Sequence, residues 1–161
     1  MTGDQEALIA QLEAQEQELV FSRFDNVDAW NLGSAMVAAA TERSLPVTID
    51  IRRHGHQLFH VALVGTTADN DGWIERKANV VNRFGASSYL IGRRLAATGT
   101  VLDHALGVEP ARFAAHGGAF PIRITDVGVV GTVTVSGLPQ SEDHAFVIEM
   151  VRAFLADQAQ P

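Results

Sequence analysis

Two pairs of strictly alternating segments constrain this chain more than any other feature. In the later pair, Phe120, Ile122 and Ile124 alternate with Pro121, Arg123 and Thr125, while Gly131, Val133 and Val135 alternate with Thr132 and Thr134. Each arm therefore carries one apolar and one more polar face, as a half-buried strand requires. A two-residue turn at Val127-Gly128 sets Ile124 against Gly131, Ile122 against Val133 and Phe120 against Val135; a slip of one residue would pair Ile122 with Thr132. In the earlier pair, Val47, Ile49 and Ile51 precede His54-Gly55-His56, and Phe59, Val61 and Leu63 follow it. A three-residue turn from His54 to His56 opposes Ile51 to Phe59 and Ile49 to Val61, whereas a two-residue loop would set Ile49 against His60, so the longer turn is predicted. His60 then shares the other face with Asp50 and Arg52. Two hairpins with single apolar faces predict an antiparallel sheet of four or five strands covered by helices, an α+β fold.

Helical periodicity supplies the cover. Leu8, Ile9, Leu12, Leu19 and Val20 recur between about Asp4 and Leu19 among glutamates and glutamines, which predicts an amphipathic helix. Residues 1–20 read as a surface helix on their own domain or as an arm reaching a neighbouring subunit. A second helix, capped by Asp25 or Asn26, runs through Trp30, Leu32, Met36 and Ala40 until Ser44 and Pro46 stop it. A third starts at Asn70 or Asp71, carries Trp73, Ile74, Val80, Val81 and Phe84, and breaks at Gly85. A fourth restarts at Ser87 or Ser88 and ends at Gly99; Pro110 suits the start of a short helix to Ala115. In the last, Ser141 is the expected N-cap, Glu142 and Asp143 favour the first turn, and Val147, Ile148, Val151, Phe154 and Leu155 form the apolar stripe.

Composition narrows the function. The 161 residues suffice for a single domain with its own core, and the lack of cysteine excludes disulfides, thiolate-zinc sites and thiol catalysis. A formal charge of −7, with Lys77 the sole lysine, argues against nucleic-acid binding. With no apolar run long enough to span a bilayer and an acidic N-terminus, no membrane association is expected and the chain reads as cytoplasmic. Arg76, Lys77 and Arg83 are the densest positive charge; they read either as the solvated face of a helix or as contacts to the carboxylate or phosphate of an anionic ligand. His54, His56 and His60 resemble metal ligands in spacing, but the absence of thiolates and the flexible turn favour solvated histidines, and no metal site is expected.

The run Gly117-Gly118-Ala119-Phe120-Pro121-Ile122, the exit Val129-Val130-Gly131, and Val135-Ser136-Gly137-Leu138-Pro139-Gln140 followed by Glu142-Asp143-His144 resemble the GlcG and haem-binding-protein-S-like family, often labelled haem-degrading domains. Trp73, Arg76, Lys77, Val80 and Arg83, with Ser87-Ser88, resemble an uncharacterised branch of it. The resemblance covers about Ala29 to Leu155. It implies a profilin-like sheet with helices on both sides, symmetric homo-oligomers and, in some members, binding of haem or a related small molecule. His116 and His144 are the candidate iron ligands, with a structural histidine as the alternative for either. A small-molecule site between the Arg76–Arg83 helix and the Gly117-Gly118 loop would also use Lys77 and Phe120. The competing readings are a protein-interaction scaffold acting through the N-terminal helix or a sheet edge, and an enzyme using His116 or His144 with Glu142 or Asp143.

Overall fold

A computed structural model describes residues 2–160. The elements in order are α1 (Gly3–Glu18), α2 (Asn26–Glu42), β1 (Thr48–Arg53), β2 (His56–Ala62), α3 (Ala68–Phe84), α4 (Ser88–Thr98), 3-10 turns at His104–Leu106 and Pro110–Arg112, β3 (Ala119–Ile124), β4 (Gly128–Ser136) and α5 (Gln140–Gln158). The two hairpins join through β1 and β4 into a four-stranded antiparallel sheet of order β2-β1-β4-β3. The expected α+β class and the four-strand count are both found.

Each hairpin corrects one detail of the predicted pairing, and a bulge is the cause both times. In the first, Ile51 faces Phe59 and Ile49 faces Val61 as predicted, yet Arg53 already pairs with His56. The turn is therefore the two-residue His54-Gly55, with φ of 51° and 77° at its two positions, the geometry whose twist matches flanking strands. An irregularity opposite Ile51 and Arg52 absorbs the odd residue and restores the apolar pairing. In the second hairpin, Phe120 faces Val133, Ile122 faces Gly131 and Ile124 faces Gly128, with a bulge after Ile122. The turn spans Thr125, Asp126 and Val127, with Asp126 at φ 62°. Relative to the predicted register the Phe120 and Ile122 pairs have slid by two residues, and the Ile124 pair, beyond the bulge, by three. The shift of two preserves the parity of the side chains, so the apolar face survives.

Ile49, Ile51, Phe120, Ile122, Val133 and Val135 pack beneath α2 and α5, against Leu32, Met36, Val147 and Val151. The opposite face of the sheet is also closed. Thr48, Asp50, Thr132, Thr134 and Ser136 are buried there, under α3, which contacts β1, β3 and β4. Alternation distinguished the two faces correctly, but polarity did not mean solvent. A second apolar cluster of Leu12, Val80, Ala86, Leu90 and Ile91 ties α1 to α3 and α4, and Arg94 reaches Glu13 at 2.9 Å. In the single chain, α1 thus lies on its own domain.

Several helix boundaries move. The third helix starts at Ala68 with Thr67 as N-cap, and Asn70 serves instead as the returning partner, accepting the Thr67 N–H at 2.9 Å. The last helix starts after Pro139, with Ser141 inside it, because Asp143 reaches back to accept the Leu138 N–H at 3.0 Å. The expected helix to Ala115 shrinks to Pro110–Arg112, and the segment at Phe21 makes only a single bridge to Ile124. Trp30, expected on the packed face of α2, is 65% exposed and meets Phe59 edge-on at 5.9 Å.

Candidate functional site

The site grows from an ion pair where α3 crosses the sheet. Lys77 Nζ donates to Asp143 Oδ2 at 3.0 Å and to the Val135 carbonyl at 3.1 Å. Both side chains are almost fully buried, so each ion depends on the other for its counter-charge. Burial pushes the lysine ammonium below its ordinary pKa and the carboxyl above its own, and their mutual attraction opposes both shifts. Gly118, at φ +138°, makes the pair sterically feasible: a Cβ there would collide with the Val135 carbonyl and lie 2.8 Å from Lys77 Nζ. Gly117 is packed as tightly against the Gln140 carbonyl, and its N–H donates to Gln140 Oε1 at 3.0 Å.

Both glycines have a packing role in this arrangement. Gly117 and Gly118 permit close approach of backbone to backbone and to Lys77, and both are buried. Phe120 is likewise a core residue, 1% exposed. His144 is 4% exposed; its Nε2 lies 2.7 Å from Gln15 Oε1 and its ring packs on Tyr89 at 5.1 Å. Burial lowers its pKa to about 4, so it is a neutral interior histidine bridging α5 to α1. Arg83 lies away from the others, its Nη2 3.4 Å from the Leu106 carbonyl. Asp143 is committed to Lys77 and His144 to Gln15, so neither expected histidine-carboxylate pairing at the start of the last helix is formed.

His116 has a different environment. Its segment is pinned on two sides: the Ala114 N–H donates to the Arg76 carbonyl at 3.1 Å, and Gly92 of α4 approaches the Ala115 carbonyl so closely that no Cβ would fit. Asn79 adds a bond to the Arg112 carbonyl at 2.8 Å. The imidazole is exposed and stands edge-to-face with Trp73, centroids 5.4 Å apart. Partial desolvation first, then the charges of Lys77, Arg93 and Arg76, hold its pKa below the ordinary value, so the ring is neutral at pH 7 and free to ligate.

Trp73 and His116 border two clefts. One, of about 270 Å³, is polar and has Lys77, Asp143, Ser136, Asn70 and Gln140 in its walls. The other, of about 420 Å³, runs between α3 and α4 and includes Arg76, Arg93, Leu102 and Phe113. Of the eight residues predicted for ligand binding, Arg76, Lys77 and His116 converge here. Trp73 and Arg93 join them without having been expected as ligand contacts, and Asp143, expected only as the partner of a catalytic histidine, is present as the counter-ion of Lys77. The Arg93-Arg94 doublet is visible in the sequence, but adjacent helical residues point in different directions, and only the fold shows that Arg94 turns to Glu13 while Arg93 turns to the cleft.

The hairpin-built sheet sandwiched by helices, with a histidine-bearing cleft at the α3–α5 crossing, defines the architecture with which known proteins can be compared. The chain belongs to the haem-degrading-protein HbpS-like family, whose model matches residues 24–152. A UPF0303 protein of Streptomyces coelicolor is 54% identical over 149 residues, covering 92% of this chain and 94% of the relative. Another UPF0303 protein, from Edwardsiella ictaluri, is 48% identical over 150 residues, covering 93% and 96%. Among solved structures, the Ybr137w protein superimposes with a TM-score of 0.85 at 33% identity, covering 94% of this chain and 90% of that one. The haem complex of PduOC superimposes with a TM-score of 0.68 at 17% identity, covering 81% and 94%; at that identity the likeness establishes the fold. Among the described residues, no helix is long and apolar enough to cross a membrane.

Proposed function

We propose that the protein binds a small anionic molecule at the His116 cleft, with haem the first ligand to test. One observation carries this reading: a neutral, exposed imidazole stands beside Trp73 at the meeting of two clefts, with guanidinium groups nearby. The residues fit haem in chemistry, since the imidazole nitrogen can serve as an axial donor, Trp73 and Phe113 offer apolar surface, and arginine matches carboxylate. The cleft volume of about 420 Å³ falls in the range of small-molecule sites. Bound there, haem would supply an iron centre whose ligation His116 sets. The relative solved as a haem complex supports the choice of ligand.

The same reading makes the protein a cytoplasmic homo-oligomer. Residues 1–161 form one domain in it, and the interaction-scaffold alternative would instead use the exposed face of α1 or the free edge of β2. Mass spectrometry under native conditions tests the proposal without assuming a ligand: a small molecule should copurify with the wild-type assembly and be lost from His116→Ala. Protein that is ligand-free in both forms and monomeric at micromolar concentration would count against it.

A further inference from the structure

Six of the eleven arginines of this acidic protein are matched to carboxylates: Arg23 to Asp28, Arg43 to Glu149, Arg52 to Asp50 and Glu75, Arg94 to Glu13, Arg123 to Glu16, and Arg152 to Glu18. Two that border the α3–α4 cleft are not. Arg76 and Arg93 have no carboxylate partner among the described residues, and both line the cleft that His116 borders. Each is held by an aromatic ring instead. The Arg76 guanidinium carbon lies 4.3 Å from the Trp73 ring centroid and that of Arg93 lies 5.6 Å from Tyr89, a contact that fixes the plane of the fork without neutralising it. Arg76 donates its Nε–H to the Gly72 carbonyl at 3.1 Å, and its terminal nitrogens make no hydrogen bond among the described residues. Arg93 Nε is buried and unpartnered among the described residues, an unsatisfied donor of the kind that structures seldom leave unexplained. Arg93 also borders a small recess near Asp4 of α1, without forming an ion pair there.

We infer that Arg76 and Arg93 form a two-pronged anion subsite that takes the paired carboxylates of a flat, dianionic ligand whose ring lies in the α3–α4 cleft against His116. This rests on the binding reading above and specifies the residues that confer charge selectivity. It assigns the selectivity to Arg93, in place of Lys77, which Asp143 already neutralises, and of Arg83, which points to Leu106. Because the two forks are held by rings, no carboxylate among the described residues forms an ion pair with them.

The test compares iron protoporphyrin IX with its dimethyl ester, which keeps the ring and the metal but removes both negative charges. Wild-type protein should bind the free acid about tenfold or more tightly than the diester, as expected for charge-assisted bonds to arginine. Arg93→Gln should lower affinity for the free acid, leave the diester unaffected and lower the melting temperature by no more than loss of the Tyr89 contact accounts for, because no ion pair is lost. Arg76→Gln should act in the same direction, while Arg83→Gln should retain full discrimination. Equal wild-type binding of the two porphyrins would overturn the subsite and leave the His116 reading standing. Discrimination that persists in Arg93→Gln would place the carboxylates elsewhere. Failure of both porphyrins to bind would remove the inference together with the reading beneath it.

Discussion

Lys77 Nζ and Asp143 Oδ2 lie 3.0 Å apart in a region where neither side chain is more than 4% exposed, joining α3 to α5 beneath the Gly118 turn. A buried pair of this kind is costly to break one partner at a time, because the survivor keeps its charge without a counter-ion. Lys77→Met and Asp143→Leu should each destabilise the fold by roughly 3 to 5 kcal/mol, whereas the double variant should recover much of the loss. Denaturant titration of the three variants checks this, and additive losses would show that the pair is not coupled.

Gly118→Ala should be as informative as either charge removal. A Cβ at that position meets the Val135 carbonyl and Lys77 Nζ at a backbone φ of +138°, so steric overlap and backbone strain act together. A loss on the order of 1 to 3 kcal/mol or more is expected from overpacking, read as a lower midpoint in urea. Gly55→Ala, with open space around its Cβ position, should show only the cost of its positive φ.

His144 gives a pH signature with a definite sign. Its folded-state pKa of about 4 lies below the ordinary histidine value, so between the two the unfolded chain takes up a proton that the folded chain refuses. Stability should therefore fall as pH drops from about 6.5 toward 4, by on the order of 3 kcal/mol from this residue alone. The raised carboxylates Glu16 and Asp143 work in the opposite direction at the acid end. The clean measurement is the difference between wild type and His144→Gln in thermal melting across that range. Parallel curves would show that His144 is not buried neutral.

Arg83→Ala should leave ligand affinity within about twofold of wild type and change stability little, as for an exposed side chain with one long bond to a carbonyl. The sequence places Arg83 two turns after Arg76 on α3, which suggested a shared surface. The fold sends it toward the Leu106 turn instead. Isothermal titration of haem into Arg76→Ala and Arg83→Ala separates the two residues.

What the sequence made legible follows from what periodicity can encode. Alternation in β1, β2, β3 and β4 identified the hairpins and the face that α2 and α5 cover, since parity alone decides which side chains share a face. It could not locate the bulges opposite Arg52 and after Ile122, because an added unpaired residue leaves parity on either side self-consistent. The family resemblance rested in part on the Gly117-Gly118 and Asp143-His144 runs, and the family itself is established; in the fold these residues make close backbone, ion-pair and interior contacts. Their spacing records the tight crossing of α3, β4 and α5. Arg93 was hidden for a different reason: an arginine without a partner is recognised only after every carboxylate has been placed.

If His116 presents a neutral imidazole to a bound ligand, a haem titration followed by visible absorption will register it. Binding should saturate at micromolar concentration with the spectrum of a nitrogen-ligated iron, shifted by His116→Ala and unaltered by His144→Gln. A titration without saturable spectral change, or a bound spectrum that His116→Ala leaves untouched, would contradict it.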